Sequence, residues 1–180
     1  MIETILLAFL TAKIKKYDIK LIFRDWAIYP VLFFAVLYIF LQSMVFYGDY
    51  SLVKYAQIFT KFYLLSFFVL IIRYKQYIAG IIGAALIFIG TWLNNIVITA
   101  NGGKMPIFPT LSYITGYIKQ GNVNNIDNIH ILGNEMTKFA FLSDIFDVGY
   151  NILSMGDLLI NSFAFILIYF SIKHTSKLKK

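Results

Sequence analysis

The feature that most constrains this chain is a long run without any charged side chain, residues 27–46. A helix needs about 20 apolar residues to cross the hydrocarbon core of a bilayer. Further apolar runs lie at residues 2–12, 55–72, 77–100 and 155–172, and three of them contain one charged residue each, namely Glu3, Lys61 and Asp157. The sequence therefore predicts an all-α fold, a polytopic membrane helix bundle of about five transmembrane segments.

Composition favours the same class. Hydrophobic residues make up 59% of the 180 residues and charged residues 14%, whereas about a quarter of a soluble domain is charged. Five segments use most of the length, which predicts a single integral membrane domain over residues 1–180. The chain contains no cysteine, so disulfides, thiolate metal sites and cysteine nucleophiles are excluded.

Basic residues are distributed unevenly between the predicted segments. Of the 16 lysines and arginines, 11 lie in residues 13–25, 73–75 and 173–180. Because cytoplasmic loops carry the excess of basic residues, this bias predicts a multi-pass protein of the cell membrane with a cytoplasmic C-terminus. The cations flank apolar runs, so the net charge of +7 indicates a lipid bilayer partner and not nucleic acid. Whether residues 2–12 span the bilayer fully stays open.

The region between the fourth and fifth segments is predicted to be extracytoplasmic and partly helical. Residues 109–120 read as an interfacial helix, with a proline suited to its first turn and Gly121 suited to its stop. Residues 121–128 are rich in asparagine and predict an exposed loop. Residues 134–147 predict a second helix, because their apolar residues recur at helical spacing, at Phe139, Leu142 and Phe146.

Polar residues gather at the end of the fourth segment and the start of the fifth, and they predict an outward-facing polar pocket. The candidate ligand-binding residues are Asn94, Asn95, Asn101, Gly102, Gly103, Lys104, Asp157 and Asn161. Amides and carboxylates within a membrane must find partners, and antiparallel crossing places Asp157 beside the asparagines. The structural alternatives are interhelical hydrogen bonds for the asparagines and helix capping by Ser154 and Asp157.

Other polar residues of this region are weaker candidates. The two glycines with Lys104 could bind an anion, or could form a helix stop that needs positive φ. Asp144 and Asp147 could share a hard cation, and His130 could add a ligand, although the metal stays unknown. No catalytic motif and no cofactor signature is present in the sequence.

One motif resembles a known family. Residues 101–106 read Asn-Gly-Gly-Lys-Met-Pro, His130 and Asp144 follow, and Ser-Met-Gly-Asp at residues 154–157 opens the last segment. This pattern resembles a family of small bacterial integral membrane proteins that forms a domain of unknown function. The resemblance extends over most of the chain and implies the membrane architecture, but it implies no activity.

These observations predict a non-enzymatic integral membrane protein. It would bind a small polar or lipid-headed ligand, or a partner membrane protein, in the outward-facing pocket. Two alternatives stay open: a small transporter, or a membrane subunit of one, that uses Asp157 and the asparagines as its pathway, and a lipid-modifying enzyme that uses Asp157 or His130 as acid or base.

Overall fold

The structure is a computed structural model that describes residues 2–49, 51–118 and 129–178. Six α-helices account for most of it: α1 Ile2–Ile14, α2 Tyr29–Phe46, α3 Ala56–Arg73, α4 Tyr77–Ala100, α5 Leu111–Thr115 and α6 Met155–Lys177. Short 3-10 turns occupy Ile19–Arg24, Trp26–Ile28, Val53–Tyr55 and Ala140–Leu142. Four short strands are β1 Met105–Ile107, β2 His130–Leu132, β3 Phe146–Asp147 and β4 Ile152–Leu153.

Three helical stretches of the described residues are long and apolar enough to cross a membrane. They are Trp26–Phe46, which includes α2, then α4 and α6, with mean hydropathies of 2.0, 2.0 and 1.7. The helix α3 has 18 residues. The helix α1 has 13 residues, which at 1.5 Å per residue is about 20 Å, shorter than a hydrocarbon core of about 30 Å. The fold is therefore that of a mostly helical membrane protein with three helices able to span.

The residues form two compact units. We call the first the helical unit, which contains Met1–Phe40, Lys54–Ile87 and Asn161–Lys180. We call the second the mixed unit, which contains Leu41–Val53 and Phe88–Ile160. Because their ranges cross the boundaries, the helices α2, α4 and α6 contribute residues to both units.

The helical unit is built around aliphatic and aromatic side chains of α3 and α6. Phe67, Leu167 and Ile168 are completely buried, and the Phe67 and Phe163 ring centroids lie 5.3 Å apart. The Phe163 ring lies directly over Gly83 of α4, where any side chain would collide with it. The small residue at this position thus lets α4 pack closely against α6.

The mixed unit carries the strands. Strand β1 pairs in parallel with β2, and Met105 lies opposite His130. The other side of β1 bonds to Asp144, whose N–H donates to the Pro106 carbonyl (3.1 Å) and whose carbonyl accepts from the Phe108 N–H (2.9 Å). Strands β3 and β4 pair antiparallel. The prediction of an all-α fold was therefore incomplete, because short strands organise the segment between α4 and α6.

The predicted helix over residues 134–147 is wrong. Phe139 takes a positive φ of 55°, which interrupts a right-handed helix. One 3-10 turn, Ala140–Leu142, follows it, and β3 comes next. The backbone of Asp144 is hydrogen-bonded to Pro106 and Phe108. Its N–H and carbonyl groups are therefore satisfied by β1 and its next residue, and not by bonds within a helix.

The predicted interfacial helix over residues 109–120 is present only in part. The helix α5 has five residues and ends at Gly116, which takes a left-handed φ of 77°. Ile114, on this helix, is 82% exposed, as a residue at a membrane interface would be. The predicted stop at Gly121 and the predicted loop at residues 121–128 lie outside the described residues.

Candidate functional site

Side chains of Asn94, Ser154 and Asp157 form a hydrogen-bonded group that we call the amide–carboxylate cluster. The Asn94 Nδ2 group donates to Asp157 Oδ1 at 3.0 Å. The Ser154 hydroxyl donates to Asn94 Oδ1 at 2.8 Å. Asp157 therefore meets the asparagine-bearing end of α4, as the antiparallel arrangement of the two segments predicts.

The same carboxylate caps α6. The Ser154 N–H donates to Asp157 Oδ2 (3.1 Å), and the Asp157 N–H donates to the Ser154 hydroxyl oxygen (2.9 Å). This reciprocal pair is a capping box, which satisfies two N–H groups at a helix start. The negative charge also lies beside the positive end of the helix dipole. Capping and contact with α4 are thus two functions of one side chain.

Two glycines let the backbones of α4 and α6 approach closely at this cluster. A Cβ atom on Gly90 would collide with the Gly156 carbonyl oxygen and would lie 2.9 Å from Ile160 Cγ1. A Cβ atom on Gly156 would collide with the Gly90 carbonyl and the Asn94 amide. Small residues at helix crossings have this effect in membranes. Gly90 lies four residues before Asn94 and therefore on the same face of α4. This spacing of a small and a polar residue is the feature of the sequence that indicates the crossing.

The amide–carboxylate cluster satisfies its own hydrogen-bonding groups. Both carboxylate oxygens of Asp157 accept a hydrogen bond, and both polar atoms of the Asn94 amide are engaged. Ser154 is completely buried. Such a network fixes the crossing of two helices, because each buried polar group has a partner within it.

The other predicted residues of this region are Asn95, Asn101 and Asn161. Asn101 donates to the carbonyls of Val97 (2.8 Å) and Lys138 (2.9 Å) and accepts from the Lys138 N–H (3.0 Å). Asn95 is exposed. Asn161 is buried and lies one turn beyond Asp157 on α6. Asn94 therefore contacts Asp157, whereas Asn101 hydrogen-bonds to the backbone of Lys138 just after α4 ends.

The glycine turn after α4 has the geometry of a helix stop. Gly102 and Gly103 have φ values of 71° and 84°, which side chains rarely adopt. The Gly103 N–H donates to the Ile98 carbonyl at 2.9 Å, the bond typical of a left-handed helix end. Lys104, which follows, is partly exposed. Since the Gly103 N–H is bonded to the helix, the turn supports the helix-stop interpretation better than an anion site.

His130 and Asp144 form a second polar pair in the mixed unit, which we call the His–Asp pair. His130 Nε2 lies 3.4 Å from Asp144 Oδ2. The Asp144 side chain is 4% exposed, whereas the His130 side chain is 34% exposed. Strand pairing produces this contact, because β2 and Asp144 both bond to β1. A buried carboxylate thus orients an accessible imidazole.

Asp147 holds the start of α5. Its carboxylate accepts from the N–H groups of Thr110 (2.6 Å), Ser112 (2.8 Å) and Gly149 (2.8 Å) and from the Ser112 hydroxyl (2.6 Å). Burial raises the pKa of Asp147, but these hydrogen bonds more than offset burial, so its pKa lies below the usual value. Asp147 and Asp144 thus have different partners, which gives no support to a shared cation site. Within the described residues, no group of three or more His, Cys, Asp or Glu side chains could hold a metal.

The helices and these polar groups define a mostly helical membrane protein whose connecting segment between α4 and α6 is a small hydrogen-bonded structure. The chain belongs to DUF5317, a family of unknown function whose model matches residues 19–169. This match confirms the resemblance to a domain of unknown function. No curated protein and no solved structure matches the chain.

Proposed function

We propose that this protein is a non-enzymatic integral membrane protein that binds a small polar or lipid-headed ligand, or a partner protein, through its mixed unit. The observation that supports this proposal is the His–Asp pair. His130 combines a contact to a buried carboxylate with an accessible side chain, and a binding residue needs both support from its neighbours and access to the ligand.

The surroundings of His130 favour an amphipathic ligand. Ile129 and Leu132, near it in the chain, are 39% and 44% exposed. An imidazole beside exposed aliphatic groups offers a hydrogen bond to a polar headgroup and an apolar contact to its chain. By contrast, the amide–carboxylate cluster has both carboxylate oxygens of Asp157 engaged, so it supports the transporter alternative less well.

Ligand binding can be tested by thermostability of the purified full chain in detergent. The probes are glycerol 3-phosphate, phosphatidylethanolamine and phosphatidylglycerol, with His130→Ala compared with Glu135→Gln, an exposed residue of the same segment. We expect at least one probe to stabilise the wild type and the control but not His130→Ala. Equal stabilisation of all three proteins would contradict a role for His130.

A lipid-modifying enzyme is the second candidate function, and the same geometry favours it. A carboxylate that orients an imidazole is the arrangement of a general base. Incubation of the protein with labelled phospholipid separates the two functions: a new lipid product that disappears in His130→Ala would establish catalysis. Stabilisation without a product would support binding.

We further propose five crossings with the C-terminus in the cytoplasm, in which α1 and α3 join the three spanning helices. The support is the concentration of basic residues in residues 13–25, 73–75 and 173–180. The chain has no native cysteine, so an impermeant thiol reagent applied to intact cells should label Glu135→Cys and should not label Lys16→Cys. The reverse pattern would overturn this orientation.

A further inference from the structure

A groove in the helical unit combines an apolar wall with a basic rim. It has a volume of about 590 Å³ and lies between the start of α4 and the end of α6. Ile82, Ile166 and Phe170 contribute to its wall, and Lys75, Lys173 and Lys177 contribute cations. We propose that this groove binds one anionic phospholipid, with the phosphate among the lysines and an acyl chain along the wall. The proposal concerns residues other than those of the His–Asp pair.

Charge complementarity identifies the headgroup. Among the described residues, those that line the groove include three lysines and His174 but no aspartate or glutamate. The Lys173 ammonium lies 5.4 Å from the centroid of the Phe170 ring, so its charge is held close to the apolar wall. Basic pockets between transmembrane helices bind anionic lipid headgroups in this way.

The apolar wall identifies a lipid as the source of the phosphate. Ile78, Ile82 and Phe170 are 77%, 50% and 40% exposed, and they lie on α4 and α6, two helices able to span a membrane. A free phosphate ion would gain nothing from these side chains, whereas an acyl chain would cover them.

A partly buried amide that lines the groove supplies a further point of recognition. Gln76 lines the groove, and its Nε2 group donates to the Ser171 hydroxyl at 2.8 Å. Its Oε1 atom is buried and accepts no hydrogen bond from the residues that the structure describes. Because buried acceptors are normally satisfied, this oxygen would be stabilised by a hydrogen-bond donor, and a headgroup hydroxyl such as that of phosphatidylglycerol has the matching chemistry.

The test is native mass spectrometry of the full chain in detergent with added phosphatidylglycerol or phosphatidylcholine. The groove variant carries Lys75→Gln, Lys173→Gln and Lys177→Gln. The control carries Lys13→Gln, Lys15→Gln and Lys20→Gln, which remove the same charge from exposed positions outside the groove. We expect the wild type and the control to bind phosphatidylglycerol at least about tenfold more tightly than phosphatidylcholine, and the groove variant to lose this preference.

Three outcomes would overturn the proposal. One is an equal loss in the control, which would show a general effect of surface charge. Another is no preference for phosphatidylglycerol in the wild type, and the third is equally tight binding of glycerol 3-phosphate, which would show an ion site. Ile82→Trp, which fills the groove and keeps every lysine, should weaken lipid binding and gives a second test if the triple variant does not fold. All of these measurements are made in the His130→Ala background, which removes the binding site proposed for the mixed unit. A loss of phosphatidylglycerol preference there reports on the groove alone, so this proposal and the proposed function fail separately.

Discussion

The amide–carboxylate cluster and the His–Asp pair show two different uses of a carboxylate in one unit. Around Asp157, the carboxylate accepts from the Asn94 amide and from the Ser154 N–H, and the buried Ser154 hydroxyl donates to the same amide. Around Asp144, the carboxylate is more deeply buried than that of Asp157, but its partner His130 keeps a third of its side chain exposed. A carboxylate near the end of a membrane helix is therefore a poor marker of function by itself. The accessibility of its partner distinguishes a structural cluster from a binding site.

The largest expected loss of stability comes from a side chain that obstructs the close contact of α4 and α6 at the amide–carboxylate cluster. Gly156→Val places side-chain atoms against the Gly90 carbonyl and the Asn94 amide, neither of which can move freely. We expect a loss of about 3 kcal/mol or more, measured as chemical unfolding in detergent. Met155→Val, at a neighbouring exposed position, is the matched control. A stable Gly156→Val protein would show that the close approach is not needed.

The next largest loss of stability is expected on substitution of Asp157, and it tests whether this residue has a structural role. Asp157→Ala removes the acceptor of the Ser154 N–H and the Asn94 amide, and we expect it to cost about 2–3 kcal/mol of unfolding free energy. Asp157→Asn keeps one acceptor oxygen, so its loss should be about half as large. If Asp157→Asn unfolded like wild type but abolished a measured flux, the carboxylate would be functional and the comparison above would be wrong.

A smaller and pH-dependent effect is expected at Asp147. Its pKa is lowered in the folded protein, so its contribution is fully present above the unfolded pKa of about 4 and is lost as pH falls through the folded pKa. Asp147→Asn should cost about 1–2 kcal/mol at pH 7, and the difference from wild type should shrink by pH 3. Unfolding curves at both pH values measure this difference. Exposed Glu135→Gln is the control, and a constant difference for Asp147→Asn would contradict the lowered pKa.

The smallest loss of stability is expected at the His–Asp pair. His130→Ala removes a partly exposed side chain, so the loss of unfolding free energy should stay below about 1 kcal/mol. A loss as large as that of Asp157→Ala would place His130 among the structural residues. The thermal midpoint without any probe is the measurement, and it serves as the baseline for the ligand experiment.

The long helices and one contact of the site could be predicted from the sequence. Length and hydropathy are local properties, so runs such as residues 77–100 give the helices directly. A contact of Asp157 with the asparagines near the end of the fourth segment also followed, because two polar groups on antiparallel apolar helices satisfy each other. The partner is Asn94, whereas Asn101, which was expected in the same cluster, bonds to Val97 and Lys138. The number of membrane crossings could not be predicted as well from the sequence. A 13-residue helix such as α1 is too short for its length alone to show that it crosses the membrane.

The small sheet and the His–Asp pair could not be predicted in this way. Strands of two or three residues show no periodicity, and the spacing of Phe139, Leu142 and Phe146 fits a helix equally well. The structure there is decided by β1, which bonds to β2 on one side and Asp144 on the other. Long-range pairing of this kind leaves no local signal, and His130 approaches Asp144 only because of it.

The amide–carboxylate cluster also sets an order of events during synthesis. Asn94 and Ser154 are separated by 60 residues, so at about 5–20 residues per second the helix α4 is made roughly 3–12 s before its partners. During that interval the Asn94 amide must bond to water, lipid headgroups or the insertion machinery. A chain that stops before Ser154 would keep this amide exposed, and an exposed amide in a membrane helix is a physical mark by which a cell can recognise an unfinished protein.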